Sequence, residues 1–142
     1  MTEQEVKHWL KRAYYADKRI KVLESLINQC RINAQRLSGH SEHKDTVRSS
    51  NAENSTEKAL LKLIENQQKY ADEIQALEDI KRDILMTIAK IDDSELETIL
   101  IHRYILLRTI EETAEIMNYS QMTISRKTNQ AIKMLLNVMF DV

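Results

Sequence analysis

Read as a helix, the stretch from Ser120 to Lys133 turns Gln121, Met122, Ser125, Arg126 and Asn129 outward, with Thr123, Lys127 and Lys133 alongside. Amide, hydroxyl and guanidinium groups on one helix face can reach base edges and phosphates in the major groove of double-stranded DNA. Other groups with chemical potential are poorer candidates. His40 and His43, with Cys30 upstream, are metal-ligating types, but the histidines sit in a polar stretch and no fourth ligand has matching spacing. Trp9, Tyr14 and Tyr15 are ring types that could stack on single-stranded bases; Trp9 falls on an apolar seam, and tyrosines on a helix flank usually pack. No Gly-rich phosphate loop, nucleophile elbow or paired metal motif is present, so no catalytic residue, metal or cofactor is expected.

The outward face at Ser120 to Lys133 needs a support, and the preceding residues supply one. Thr109 and Glu112 have the spacing of a capping box, opening a short helix with Ile110, Thr113 or Ala114, and Met117 inward. Asn118 follows; after Gly it most readily adopts the left-handed conformation that ends a helix. Ser120 is then a good N-cap for a second helix with Ile124, Ala131, Ile132, Leu135 and Val138 inward. Periodicity alone permits one continuous helix, since Ile110, Met117, Ile124, Ala131 and Val138 are seven apart. The punctuation at Asn118 to Ser120 predicts a helix-turn-helix instead.

The rest of the chain is also helical in character. One Gly and no Pro among 142 residues, with 30% charged and 5% aromatic residues, imply an all-α protein. No apolar run approaches the length of a membrane span, and the start is charged, so a cytoplasmic protein without a membrane partner is expected. A single cysteine forms no internal disulfide and fits a reducing compartment. From Val6 a seam runs through Trp9, Ala13, Ala16, Ile20, Leu23, Ile27, Cys30, Ala34 and Leu37 in alternating steps of four and three. A second runs Leu60, Leu63, Gln67, Tyr70, Ile74, Leu77, Lys81, Ile84, Ile88 and Ile91, with Ile80 available beside Lys81. Between them Ser38 to Lys58 is polar and holds the only Gly, which predicts a mobile loop. The expected organisation is a long antiparallel helical hairpin, a coiled coil, over 1–91 with its loop at 38–58. A compact helix-turn-helix domain follows over 92–142. Thr2 with Glu5, and Ser94 with Glu97, are further capping boxes. Leu96, Ile99, Leu100, Ile101, Tyr104, Ile105 and Leu106 are the expected core of the second domain.

The segment "TIEETAEIMNYSQMTISRKTNQAIKML" resembles the fourth, DNA-binding region of bacterial sigma factors. Thr109, Glu111, Glu112, Ala114 and Ser120 match its pattern, and Met117 and Ala131-Ile132 match conservatively. Thr113 stands where an apolar residue is usual, and Asn118 where Gly is usual. The resemblance implies that Gln121, Met122, Ser125 and Arg126 occupy base-reading positions. Met122 cannot hydrogen-bond strongly, so base choice differs from that of a housekeeping factor. The strings "WLKRAYYADKRIKVL", "DTVRSS", "EKALLKLIE", "ILMTIAKIDDSELETILIHRYI" and "MNYS", in that order, resemble ArpU/RinA-type transcriptional regulators of phages and prophages of Gram-positive bacteria. That resemblance implies control of late phage genes.

Two functions fit these features. One is a sequence-specific DNA-binding regulator; the other is a coiled-coil assembly protein such as a small-terminase-like packaging subunit. Small terminases typically place the DNA-binding part first, whereas here it comes last, which favours the regulator. Between Ser120 and Val142, three basic residues stand against Asp141 on a chain of net charge −1, a modest electrostatic grip. Useful occupancy then calls for a second anchor: a homodimer or higher oligomer through the N-terminal helices, or host RNA polymerase.

Overall fold

The computed structural model describes residues 1–42 and 50–140, with side chains described for 1–38 and 54–140. Every element among the described residues is helical: α1 (Glu3–Leu10), α2 (Arg12–Glu42), α3 (Ser50–Ile88), α4 (Ser94–Leu100), a π-helical turn (Ile101–Ile105), α5 (Ile110–Met117) and α6 (Gln121–Phe140). None of these helices is long and apolar enough to cross a membrane. Two compact units emerge, the first built from 1–18 and 77–142 and the second from 19–76.

In the second unit α2 and α3 run antiparallel, with Arg19 bonded to Glu73 at 2.6 Å and Asn33 and Leu37 beside Ala59 and Leu63. Ile20, Leu23 and Cys30 are buried along the first seam, while Leu60, Leu63, Tyr70 and Ile74 of the second are half-buried. The polar stretch is more helical than its composition suggests, because α2 continues to Glu42 and α3 begins at Ser50. Adding a residue to an existing helix gains a hydrogen bond without a new nucleus, and the stretch has no Pro to stop it. The centre of the expected loop, 43–49, lies outside the described residues, as does most of "DTVRSS". His43 and the side chain of His40 fall there too.

The first unit is organised around α6, which packs against α1, α4 and α5. Val6, Leu10 and Ala13 from the start of the chain meet Ile84 and Ile88 from the end of α3 and Ile91 just beyond it. They share a single core with Leu96, Ile99, Leu100, Ala114, Ile124, Ala131, Ile132 and Leu135. The core thus crosses the expected 91/92 boundary. Leu10, which stands beside the seam, is fully buried, while Trp9 on it is half-buried. A brief break at Lys11 separates α1 from α2, and Leu10 rather than Trp9 turns inward. The Thr2–Glu5 capping box is formed, with the Glu5 amide donating to Thr2 Oγ1 at 3.2 Å and the Thr2 amide to Glu5 at 2.9 Å.

At α4 the cap is Asp93, not Ser94: the Leu96 amide donates to Asp93 Oδ1 at 3.1 Å and Ser94 is the first helical residue. A carboxylate one residue earlier accepts the same kind of amide bond and also favours the positive end of the helix. The apolar run after Leu100 leaves α-helical geometry. Leu106 N–H donates to Ile101 O at 2.8 Å, Leu107 takes φ 57°, and Leu106 is turned to solvent rather than into the core.

Candidate nucleic-acid interface

The turn between α5 and α6 is built as its residue types require. Thr109 Oγ1 accepts from the Glu112 amide at 3.1 Å, and Glu112 accepts from the Thr109 amide at 3.2 Å. Thr113 and Ala114 are both buried. The Thr113 hydroxyl donates to Thr109 O at 2.9 Å, so a polar residue occupies an apolar position without an unpaired group. Asn118 adopts φ 59°, ψ 43°, and Tyr119 N–H donates back to Ala114 O at 2.9 Å, closing the helix end as in a Schellman turn. Ser120 Oγ then accepts from the Thr123 amide at 3.1 Å and caps α6. Ile124, Ala131, Ile132 and Leu135 are buried beneath, and Val138 is half-buried.

This leaves Gln121, Met122, Ser125, Arg126, Asn129 and Lys133 exposed, with Met122 at 82% the most open large apolar side chain among the described residues. Thr123 and Lys127 are set back. The Thr123 side chain sits 2.9 Å from Ser120 Oγ, within the cap. The Lys127 ammonium is bonded to Glu95 and lies 5.1 Å from the Tyr119 ring centre, while the Tyr119 hydroxyl donates to the other Glu95 oxygen at 2.6 Å. Of the eight expected contact residues, six are thus presented outward, while these two hold the geometry of the pair.

Glu95 is the residue that the sequence pattern did not single out. From the first turn of α4 it ties the inter-helix turn to α6. Its bond to Lys127, and then that to Tyr119, hold its carboxyl below the usual value near 4.5. The bond to Glu95 in turn raises both the Lys127 ammonium and the Tyr119 phenol. The carboxylate contribution is fully present above the unfolded value and is lost as pH falls through the lower folded one. Glu95→Gln is therefore expected to flatten the decline of the melting temperature on acidification below about pH 4.5, while lowering it slightly at pH 7. Parallel acid limbs in the two proteins, followed by circular dichroism, would exclude this role for Glu95.

The entry to α5 carries a second feature not foreseen. Arg103 Nη1 donates to Arg108 O at 2.7 Å, and Arg108 bonds the Nδ1 of His102. Burial, and then the Arg108 charge, push the His102 imidazole below its usual value. Compared with protein-family models, curated proteins and solved structures, the chain matches none of them.

Proposed function

We propose that the chain is a sequence-specific DNA-binding transcriptional regulator that acts on phage late genes and reads the major groove with α6. The observation that carries this reading is the pair α5–α6, set by a left-handed Asn118, with Gln121, Met122, Ser125, Arg126 and Asn129 exposed on the second helix. A short capped helix, a tight turn and a longer helix with outward donors and acceptors is the arrangement used for base readout. With Lys127 engaged by Glu95, Arg126 and Lys133 are the exposed cations of α6, so a single copy has a salt slope of only about −2. The test is selection of bound duplexes from a random library by the full chain, followed by fluorescence anisotropy on the selected and scrambled sequences. Enrichment of a shared site is the expected result; a pool that stays random after several rounds would refute sequence-specific binding.

Such a small grip calls for a second anchor, and self-association through the hairpin supplies it in this proposal, with RNA polymerase as a further partner in the cytoplasm. In the 19–76 unit Leu61 and Ile64 are 59% and 57% exposed, and Val22 and Leu26 are also open to solvent. Two helices bury one seam and leave the flanks of that seam to a further copy. Replacing both Leu61 and Ile64 with Lys is expected to shift sedimentation from oligomer to monomer at tens of micromolar, with the helical content unchanged. A wild-type chain that sediments as a monomer there would overturn the self-association. A ring of eight or more copies would point to the packaging subunit instead.

A further inference from the structure

Away from α6, the first unit contains a cavity of about 260 Å³ lined by Lys11, Tyr14, Tyr15, Arg103, Tyr104 and Leu107. Two segments some ninety positions apart bring two cations into its wall, and no acidic residue lines it, although the chain has 22 acidic residues against 21 basic. Arg103 is only partly matched: Nη1 donates to the Arg108 carbonyl, whereas Nε is buried without a hydrogen-bond partner. Buried polar groups are nearly always paired, and this N–H, sealed from solvent, is satisfied by an outside acceptor only if the Arg103 side chain shifts toward the cavity. The wall is also conformationally unusual. It is carried by a π-helical turn that ends in a left-handed Leu107, and such turns and outliers recur at binding sites. Tyr14 and Tyr15 were expected to pack; instead both are exposed, set edge to face at 5.5 Å between ring centres.

We propose that this cavity binds a phosphate ester bearing one flat ring, with the phosphate between Lys11 and Arg103 and the ring against the tyrosines. Guanidinium and ammonium groups together match a phosphate dianion. Tyrosine faces accept a flat ring irrespective of its substituents. The volume lies below that of pockets for drug-sized ligands, which fits a single ring with its ester and little more. Two sources share this chemistry: a free nucleotide, and a nucleotide of a DNA strand.

The test uses the full chain, isotopically labelled, with cytidine 5′-monophosphate, whose base is a single ring, as the probe and amide chemical shifts as the readout. Saturable shifts at Tyr15, Tyr104 and Leu107 are expected, with inorganic phosphate weaker and cytidine weaker still. Lys11→Gln and Tyr15→Ala alter exposed side chains and should leave the melting temperature unchanged. Lys11→Gln is expected to weaken the nucleotide about tenfold, as loss of a charge-assisted hydrogen bond does. A single-stranded DNA oligomer that displaces the nucleotide assigns the site to a DNA strand; simultaneous binding assigns it to a free nucleotide. No shift at those amides by 10 mM nucleotide, or equal affinity in wild type and both variants, would overturn the proposal.

Discussion

A fragment comprising residues 93–142 is expected not to fold, although it contains the whole helix-turn-helix. Of the fourteen buried residues that form the core of the first unit, six precede the cut: Val6, Leu10, Ala13, Ile84, Ile88 and Ile91. The five larger ones contribute roughly 10 kcal/mol of burial at about 1.5 to 3 kcal/mol each, comparable to the entire net stability of an ordinary domain at about 5 to 15 kcal/mol. Circular dichroism of the fragment should show weak helicity and no cooperative melt. In the full chain, Leu10→Ala should cost about 2 to 5 kcal/mol through the cavity it leaves. Met86→Ala, at an exposed position outside the self-association flank, should cost little. A fragment that melts cooperatively would show that the shared core is dispensable. If the prediction holds, loss of DNA binding on N-terminal truncation reflects unfolding of the first unit and says nothing about contacts to DNA.

Features set by neighbours along the chain were legible in the sequence; those set across space were not. Thr2 with Glu5, Thr109 with Glu112, and Asn118 each act within one helical turn, and each is formed as its spacing implies. The inward positions Ile124, Ala131, Ile132 and Leu135 follow from a period of 3.6 and are buried. Periodicity states that a face is apolar without naming what covers it. Nothing in Val6, Leu10 and Ala13 therefore announced that their helices pack in the unit of α6 rather than in a hairpin alone. The same limit hid Glu95, whose partners Tyr119 and Lys127 lie 24 and 32 positions away. The π-helical turn at Ile101–Ile105 is another case: its residues are ordinary helix formers, and the left-handed Leu107 has no local cause in its side chain. On α6, sequence types marked eight contact residues alike, yet Lys127 differs from Arg126 and Lys133 because a carboxylate from α4 holds it.

That difference should separate three neighbouring basic residues by experiment. Arg126 is exposed on the α6 face among groups able to meet base edges, so Arg126→Ala should remove about 1 to 3 kcal/mol of discrimination between the selected and scrambled duplexes. In anisotropy this appears as about 5- to 150-fold weaker binding to the selected duplex, with much less change on the scrambled one. Lys133, exposed about two turns further along, is suited to phosphate. Lys133→Ala should weaken both duplexes alike and make the salt slope shallower by about one. Lys127→Ala removes a charge already neutralised by Glu95, so its slope should stay close to that of the wild type. Its effect should appear in the melting temperature and in the acid limb that depends on Glu95. Arg126→Ala losing affinity equally on both duplexes would reassign that residue to the phosphate backbone. A drop of about one in the slope for Lys127→Ala would mean that DNA draws its ammonium away from Glu95. In that case the clamp between α4 and α6 opens on binding, and Glu95→Ala, which frees the ammonium in advance, should tighten the complex.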